Sequence, residues 1–274
     1  MNKKLPIGIF DSGIGGLTVV KRLNQLLPGE KIVYFGDTAR VPYGTKSADI
    51  IKQYAMQITN FLIRFDPKII VIACHSVSSL GTQFLESRFS GRTFIDVIEP
   101  SVLDALRFTR NKRIGVIGTP ATISSGMYPS IVRKIDSEVQ VYQKPCPLLV
   151  PLAEEGWFDT DVTRAIISHY IDELLDKQID TLILGCTHYP LLEKAIRKVV
   201  GSSVSLIDAS GATGTKVKQI LETKGLLNTK HSKKPVPVLY FSDLPEYRGQ
   251  IMSRFWNRKD LIIKKVRLGE DPDV

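Results

Sequence analysis

The chain has 274 residues, 43% hydrophobic and 24% charged, which suffices for the buried core of one large or two ordinary domains. It has no apolar run near the roughly 20 residues of a membrane-spanning helix and no signal-peptide segment, so a cytoplasmic protein without a membrane partner is expected. The net charge of +9 comes partly from residues 224–234 and 254–267, which form no recognisable docking motif, and this argues against nucleic acid as the main partner.

Short β-branched segments alternate with amphipathic segments along the whole chain. This order predicts βαβ units and a mainly parallel sheet. Two helices are clear, because apolar residues recur at three- and four-residue spacing from Ser47 to Phe65 and from Val162 to Leu175. The predicted strands are residues 6–10, 31–35, 68–73, 93–98, 113–117, 139–142, 181–184, 204–207, 236–241 and 261–266.

The two halves of the chain partly repeat each other. Residues 7–12 (IGIFDS) resemble residues 114–119 (IGVIGT), and residues 69–75 (IIVIACH) resemble residues 180–188 (DTLILGCTH) in pattern. Corresponding positions lie roughly 110 residues apart, which is too long a period for a solenoid. The repeat therefore indicates two structurally similar halves.

We therefore expect an α/β protein of two similar parallel-sheet domains with a pseudo-twofold relation and the active site in the cleft between them. Pro100 marks a change of element near the first boundary, and the second boundary lies near Asp208. The predicted first domain is residues 1–99 plus 208–274, with Asp11 and Cys74; the second is residues 100–207, with Glu154, Cys186 and His188.

Small and polar residues follow the predicted strands. In open α/β sheets ligands bind beyond the carboxyl ends of the strands, where helix N-termini also point. Hydroxyl groups and backbone N–H groups there favour an anion, and a carboxylate fits better than a polyphosphate because the chain has no Walker sequence. The glycine-rich stretch after the first strand has Thr18 where a dinucleotide fingerprint needs glycine, so no nicotinamide cofactor is expected. The strand-end segments are residues 11–13, 36–38, 74–76, 118–120 and 186–188.

Cys74 and Cys186 occupy corresponding strand ends, each just before a predicted helix. The pKa of a thiol, about 8.5, falls near a helix N-terminus and makes the thiolate available at neutral pH. Racemisation needs an acid and a base on opposite faces of one carbon. Two facing thiols, one entering as thiolate and the other as thiol, would supply both groups without a cofactor.

Each cysteine also has a plainer interpretation. A free buried cysteine commonly behaves as a small hydrophobic residue, and Cys146, between two prolines, is interpreted in this way. Zinc binding by Cys74, His75, Cys186 and His188 is a rival hypothesis, which the awkward adjacent Cys-His pair and the lack of a compact knuckle disfavour. We therefore expect no metal.

Three polar residues could assist the thiols. His188 could orient or protonate Cys186, and Asp11 could play the same part for Cys74, although an aspartate there is as typical of a helix N-cap. Glu154 and its neighbour Glu155 follow an apolar run and fit a solvated helix end equally well. Spacing alone does not choose between these interpretations.

Four longer segments carry a family resemblance: residues 8–19 (GIFDSGIGGLTV), 34–44 (YFGDTARVPYG), 150–156 (VPLAEEG) and 182–192 (LILGCTHYPLL). In this order the chain resembles, over almost its whole length, the glutamate racemases of the cofactor-independent aspartate/glutamate racemase family. These enzymes supply D-glutamate for peptidoglycan. The resemblance implies a cytoplasmic homodimer that acts on glutamate without a cofactor.

The same resemblance implies a role for each site residue. Cys74 would act on the D-enantiomer and Cys186 on the L-enantiomer; Asp11 would assist Cys74, His188 would assist Cys186, and Glu154 would line the same site. The implied substrate contacts are Asp11, Ser12, Tyr43, Gly44, His75, Ser76, Thr187 and His188.

The chain departs from this family at the first cysteine. The family commonly has Cys-Asn-Thr there, whereas this chain has Cys74-His75-Ser76. Histidine is larger than asparagine and can titrate near neutral pH, so we expect an altered substrate preference, affinity and pH profile. Two alternatives follow: the same chemistry on aspartate or another α-substituted acid, and a basic binding protein on a degenerate racemase scaffold.

Overall fold

The computed structural model describes residues 2–229, 234–244 and 261–268, within which ten β-strands and ten α-helices alternate. The strands are β1 (Ile7–Asp11), β2 (Ile32–Gly36), β3 (Ile69–Ile72), β4 (Phe94–Ile95), β5 (Arg113–Gly118), β6 (Gln140–Pro145), β7 (Thr181–Gly185), β8 (Ser205–Asp208), β9 (Val238–Phe241) and β10 (Ile262–Lys265).

The α-helices connect the strands on both sides of the sheets. They are α1 (Leu17–Leu26), α2 (Ala48–Ile63), α3 (His75–Arg88), α4 (Ile98–Phe108), α5 (Pro120–Ser124), α6 (Met127–Ile135), α7 (Leu149–Glu154), α8 (Asp161–Leu175), α9 (Glu193–Val200) and α10 (Ala209–Thr223), with short 3₁₀ helices at Tyr43–Thr45 and Tyr189–Leu192. No helix within the described ranges is long and apolar enough to cross a membrane.

The described strands form two sheets, and every pairing in them is parallel. One sheet has the order β10-β9-β2-β1-β3-β4 and the other the order β6-β5-β7-β8. The order β2-β1-β3-β4 in one sheet therefore matches the order β6-β5-β7-β8 in the other. In both, the strand that comes second along the chain lies at one side of the strand that comes first, and the third lies at the other side. This arrangement confirms the predicted α/β class with two similar parallel sheets.

All ten predicted strands are present, and the fourth was drawn furthest beyond its observed end. The prediction extended the fourth strand to residue 98, whereas β4 ends at Ile95 and α4 begins at Ile98. The reason is a side-chain cap: Asp96 Oδ1 accepts hydrogen bonds from the backbone N–H groups of Ile98, at 2.7 Å, and Glu99, at 3.0 Å. These bonds satisfy the first turn of the helix and end the strand.

The predicted domain division stays a prediction. Strands β1–β4, β9 and β10 share one sheet and β5–β8 share the other. Helix α4 packs against α6, against β7 and β8 of the second sheet, and also against α10. The boundary predicted at Pro100 lies inside the first turn of this helix. Residues 230–233, 245–260 and 269–274, which the prediction assigned to the first domain, lie outside the described residues.

The predicted helix periodicity is the reason that α2 covers the first sheet. Ser47 caps the helix by accepting the N–H of Ile50, and the buried positions recur every three or four residues. Burying an isoleucine of this kind contributes about 1.5–3 kcal/mol. The buried apolar residues of α2 are Ile51, Ala55, Ile58, Phe61 and Leu62.

A buried ion pair ties the start of β3 to the segment that follows α10. Lys68 and Glu30 are almost fully buried, and the ammonium group of Lys68 contacts the Glu30 carboxylate. Lys68 Nζ also donates to the backbone oxygens of Lys3, at 2.9 Å, and Leu226, at 3.0 Å. Glu30 Oε1 accepts the N–H of Asn228 at 2.8 Å. Both charges are therefore fully engaged without water.

Replacing Lys68 by methionine is expected to lower the free energy of unfolding by about 3–5 kcal/mol, because Glu30 is left buried and unpaired. Lys144→Met is the matched control: Lys144 pairs with Glu173, which is 65% exposed, so loss of this solvent-screened pair should change the free energy of unfolding far less. Urea denaturation followed by circular dichroism measures both. Equal destabilisation by the two variants would contradict the prediction.

Candidate active site

The two cysteines predicted to carry the chemistry lie in one pocket, each from a different sheet. Cys74 lies two residues beyond the end of β3 and directly before α3, and Cys186 directly follows β7. Both are free thiols, and they are only 5% and 6% exposed. The carboxyl ends of the two sheets thus bring together groups that are far apart in the sequence.

The pocket also contains most of the residues predicted to contact substrate. Asp11 and Glu154 do not line it directly and instead hydrogen-bond to residues that do. Predicted residues on the pocket wall are Ser12, Tyr43, Gly44, His75, Ser76, Thr187 and His188. Thr119, from a predicted strand-end segment, also lines the pocket, as do Val41, Pro42 and Val150, which were not predicted.

The Cys186 side of the pocket is a relay of three side chains. Cys186 Sγ lies 3.9 Å from His188 Nδ1, and His188 Nε2 lies 3.3 Å from Glu154 Oε1. Burial opposes protonation of His188, but its hydrogen bonds with Cys186 and Glu154 prevail and raise its pKa to about 10. At neutral pH His188 is therefore an imidazolium beside the sulfur.

On the Cys74 side the described neighbours are a hydroxyl group and a carboxylate. Cys74 Sγ donates to Ser12 Oγ at 3.5 Å. Burial, with a smaller contribution from the negative charge of Asp11, raises the pKa of Cys74 to about 12. The expectation that a helix N-terminus lowers this pKa is wrong for Cys74, because loss of hydration outweighs the helix. Cys74 holds its proton at neutral pH.

Asp11 links the loop after β1 to the loop after β7. Its Oδ2 accepts the backbone N–H groups of Gly13, at 3.2 Å, and Gly16, at 2.9 Å, and its Oδ1 accepts the Thr187 hydroxyl at 3.5 Å. The side chain is fully buried, and burial raises its pKa. The N-cap alternative for Asp11 is wrong, because Gly16 is the N-cap of α1 and no side chain caps that helix. Asp11 instead organises the turn before α1 and contacts the pocket wall through Thr187.

His75 differs from the expectation for its protonation. It is the first residue of α3, it is 4% exposed, and burial lowers its pKa to about 3. The prediction that it titrates near neutral pH is therefore wrong, because the site removes the water that would hydrate an imidazolium. His75 is a neutral ring.

Tyr43 is held on the pocket wall from behind by Asp37. The Tyr43 hydroxyl donates to Asp37 Oδ2, which also accepts from Arg40 Nε at 2.6 Å. Ser242, just past β9, donates from Oγ to Asp37 Oδ1 at 2.7 Å. Asp37 was named among the strand-end residues but given no place in the site; its position in the motif of residues 34–44 was the available signal.

Two glycines let the loops of the two sheets meet. A Cβ atom on Gly15 would lie 2.3 Å from Thr187 Oγ1 and 2.8 Å from His188 Nδ1. A Cβ atom on Gly44 would lie 2.4 Å from the Cβ atom of Thr119. Real Cβ contacts of this length do not occur, so only glycine permits the close approach. Thr119 was among the strand-end residues, and this contact explains its place on the wall.

Metal ligation finds no support in the geometry of the described chain. Among residues 2–229, 234–244 and 261–268, no group of three or more His, Cys, Asp or Glu side chains is placed to hold a metal ion. What the pocket offers instead is two thiols, an imidazolium beside one of them, a neutral imidazole and several hydroxyl groups. This set is suited to proton transfer on an anionic substrate.

Replacing Asp11 by asparagine is expected to lower the pKa of Cys74, because the negative charge that disfavours the thiolate is removed while the hydrogen-bond acceptor is kept. A pH titration of the labelled Cys74 Cβ by ¹³C NMR measures the change. Glu155→Gln, at an exposed position, is the charge-matched control and should leave the titration unchanged. An identical Cys74 titration in Asp11→Asn would refute the assigned cause.

Comparisons with known proteins identify the family of the chain. The family described as Asp/Glu/Hydantoin racemase matches residues 7–215. A glutamate racemase from Chlorobaculum tepidum is 47% identical over 241 residues, which cover 88% of each chain. Another from Neisseria meningitidis serogroup A is 42% identical over 269 residues, covering 98% of this chain and 99% of the relative.

A solved structure extends the likeness to the fold. The glutamate racemase of Francisella tularensis, crystallised in complex with D-glutamate, superposes with a TM-score of 0.91 at 38% identity, covering 98% of this chain and 100% of that one. With a family match over more than half of its length and relatives above 40% identity, the chain belongs to the aspartate/glutamate/hydantoin racemase family.

Proposed function

We propose that this racemase interconverts L- and D-glutamate by a cofactor-independent, two-thiol proton transfer. The observation that carries the proposal is the pair of buried thiols, Cys74 and Cys186, that reach one pocket from two sheets. Relatives named glutamate racemase, one of them crystallised with D-glutamate, support glutamate as the substrate. We further propose that the product supplies peptidoglycan synthesis in the cytoplasm and that the enzyme is a homodimer.

In this mechanism one sulfur removes the α-proton and the other returns a proton to the opposite face. The C–H bond breaks, its proton moves to a thiolate, and its electron pair spreads into the α-carboxylate. The second thiol then donates its proton to the planar carbon. After turnover the two sulfurs have exchanged protonation states, so the reverse reaction uses the same groups.

The electrostatics of the two sides suit this division of labour. Cys74, with a pKa raised to about 12, holds the proton that the D-product needs. Cys186 lies beside the His188 imidazolium, whose positive charge stabilises negative charge on the sulfur. In the proposed reaction Cys186 is the sulfur that removes the α-proton of L-glutamate, and Glu154 keeps His188 charged and oriented.

Two alternatives remain as hypotheses. The same chemistry on aspartate or another α-substituted acid is suggested by His75, which lines the pocket where the family commonly has the smaller asparagine. A basic binding protein on a racemase scaffold is suggested by the net charge of +9. DNA binding that persists near physiological salt, together with absent racemisation, would be needed to favour the second alternative.

The activity itself is tested with metal-free protein that carries no pyridoxal phosphate. L-Glutamate incubated with it should lose its circular dichroism signal as D-glutamate accumulates, and D-glutamate should do the reverse. L-Aspartate is assayed in parallel. A folded protein that leaves the signal of both amino acids unchanged would refute a racemase function, and much faster turnover of aspartate would overturn the glutamate assignment alone.

Cys74→Ser and Cys186→Ser are each expected to abolish racemisation, because a hydroxyl group cannot replace a thiol as acid or base here. Exchange of the α-proton in ²H₂O should survive only on L-glutamate in Cys74→Ser and only on D-glutamate in Cys186→Ser. Cys146→Ser is the matched control: Cys146 is buried away from the pocket, with Sγ 3.5 Å from the Lys144 backbone oxygen. Racemisation at the parent rate in either single active-site variant would contradict the mechanism.

A further inference from the structure

Tyr34 is a fully buried titratable side chain that the two-thiol mechanism leaves without a role. It lies on β2, paired with Ile9 of β1, and its ring packs edge-on against Phe241 at a centroid distance of 5.8 Å. Phenylalanine would serve this packing equally well. The Tyr34 hydroxyl group, however, donates a hydrogen bond to the backbone oxygen of Gly13 at 2.6 Å. Tyr34 therefore contacts the loop after β1, whose Ser12 lines the pocket.

The Tyr34 hydroxyl group keeps its proton at neutral pH. Burial, with smaller contributions from the negative charges of Asp11 and Cys74, raises the pKa of Tyr34 well above its usual value. Tyr34 is therefore unsuited to act as an acid or base in the reaction. Its hydroxyl group acts on the site by donating a hydrogen bond.

Gly13 is held on both sides of its α-carbon. Its N–H donates to Asp11 Oδ2 at 3.2 Å, and its carbonyl oxygen accepts from the Tyr34 hydroxyl group. The same oxygen packs against Gly36 of β2, where a Cβ atom would lie only 2.3 Å from it. Glycine has more backbone freedom than any other residue, so these contacts are what keep the loop at Gly13 in one conformation.

Ser12, directly before Gly13, is the residue whose position depends on this anchoring. Its Oγ accepts the Cys74 thiol at 3.5 Å. Burial raises the pKa of Cys74, and the hydrogen bond with Ser12 opposes that rise. A hydroxyl group can both donate and accept, so Ser12 can accept from the thiol and donate to the thiolate. Ser12 can thus serve Cys74 in both of its protonation states, provided that the serine backbone stays in place.

We propose that Tyr34 is a positioning residue for the proton transfer at Cys74: its hydroxyl group fixes the Gly13 carbonyl and thereby keeps Ser12 within reach of the sulfur. The proposal rests on the proposed racemase function. Cys74 removes the proton of D-glutamate in one direction and forms D-glutamate in the other, and both events pass through the same transition state. Tyr34 acts on this transition state, whereas the transfer at Cys186 is assisted by His188.

Tyr34→Phe removes the hydroxyl group and keeps the ring. Because enantiomers have equal free energies, kcat/KM must fall equally in both directions, and we expect a loss on the order of 10–100-fold. Primary isotope effects on kcat/KM separate the two proton transfers. The effect should rise with α-deuterated D-glutamate, since abstraction by Cys74 becomes more rate-limiting. It should fall with α-deuterated L-glutamate, since abstraction by Cys186 becomes less so.

Tyr142→Phe is the matched control. It removes a tyrosine hydroxyl group that donates to Gln140 Oε1 at 2.6 Å on β6, and Tyr142 does not line the pocket. The rate and both isotope effects should therefore match those of the parent.

Ser12→Ala is an independent variant that tests the route from Tyr34 to the sulfur. If Tyr34 acts through Ser12, this substitution should shift the two isotope effects in the same opposite directions. Adding Tyr34→Phe to Ser12→Ala should then change them little further, because the two residues belong to one coupled unit. Fully additive effects of the two substitutions would contradict the proposal.

The other possible failures are distinguishable. A parent enzyme that does not racemise glutamate contradicts the proposed function itself. With an active parent, parent-like kinetics in folded Tyr34→Phe refute the role of Tyr34 alone, and so do isotope effects that change in one direction for both enantiomers. Near-ultraviolet circular dichroism identifies the folded variants. Should Tyr34→Phe fail to fold, parent-like isotope effects in Ser12→Ala refute the proposal in its place.

Discussion

The buried carboxylate of Asp11 is the interaction on which the site depends most. It sits at the carboxyl end of β1 and has exchanged water for the N–H groups of Gly13 and Gly16 and the hydroxyl of Thr187. The first two contacts shape the loop after β1, and the third reaches the loop that carries Cys186. One side chain therefore fixes the geometry of both halves of the pocket while keeping its charge near Cys74.

The two halves have the same strand order but different electrostatics. On one side Cys186 has a charged imidazole and a carboxylate behind it, and on the other Cys74 has a serine hydroxyl and the charge of Asp11 nearby. A two-base proton transfer uses one thiolate and one thiol at a time, and the two sulfurs exchange these states at each turnover. The difference between the halves gives the two sulfurs unequal surroundings for this exchange.

Much of the fold could be predicted because it depends on local patterns. The strands and the helix α2 follow from β-branched runs and three- and four-residue spacing, and the meeting of strand ends follows from parallel topology. Properties that depend on burial and on residues distant in the sequence could not be predicted from local patterns. The pKa of Cys74 is raised mainly by burial. Ser242, which hydrogen-bonds to the Asp37 carboxylate that holds Tyr43, is 205 residues away from Asp37 in the sequence. Burial likewise decides that His75 is neutral, against its usual behaviour in water.

The glycine contacts between the loops have an evolutionary consequence. Gly15 leaves no room for a side chain against Thr187 and His188, and Gly44 leaves none against Thr119. A larger residue at either glycine is tolerable only if the opposing loop retreats, which would widen the pocket and separate the thiols. The two halves, although they resemble a duplicated unit, are no longer free to diverge independently. Substitutions at positions 15 and 44 should therefore arise only in lineages that also change positions 187, 188 or 119.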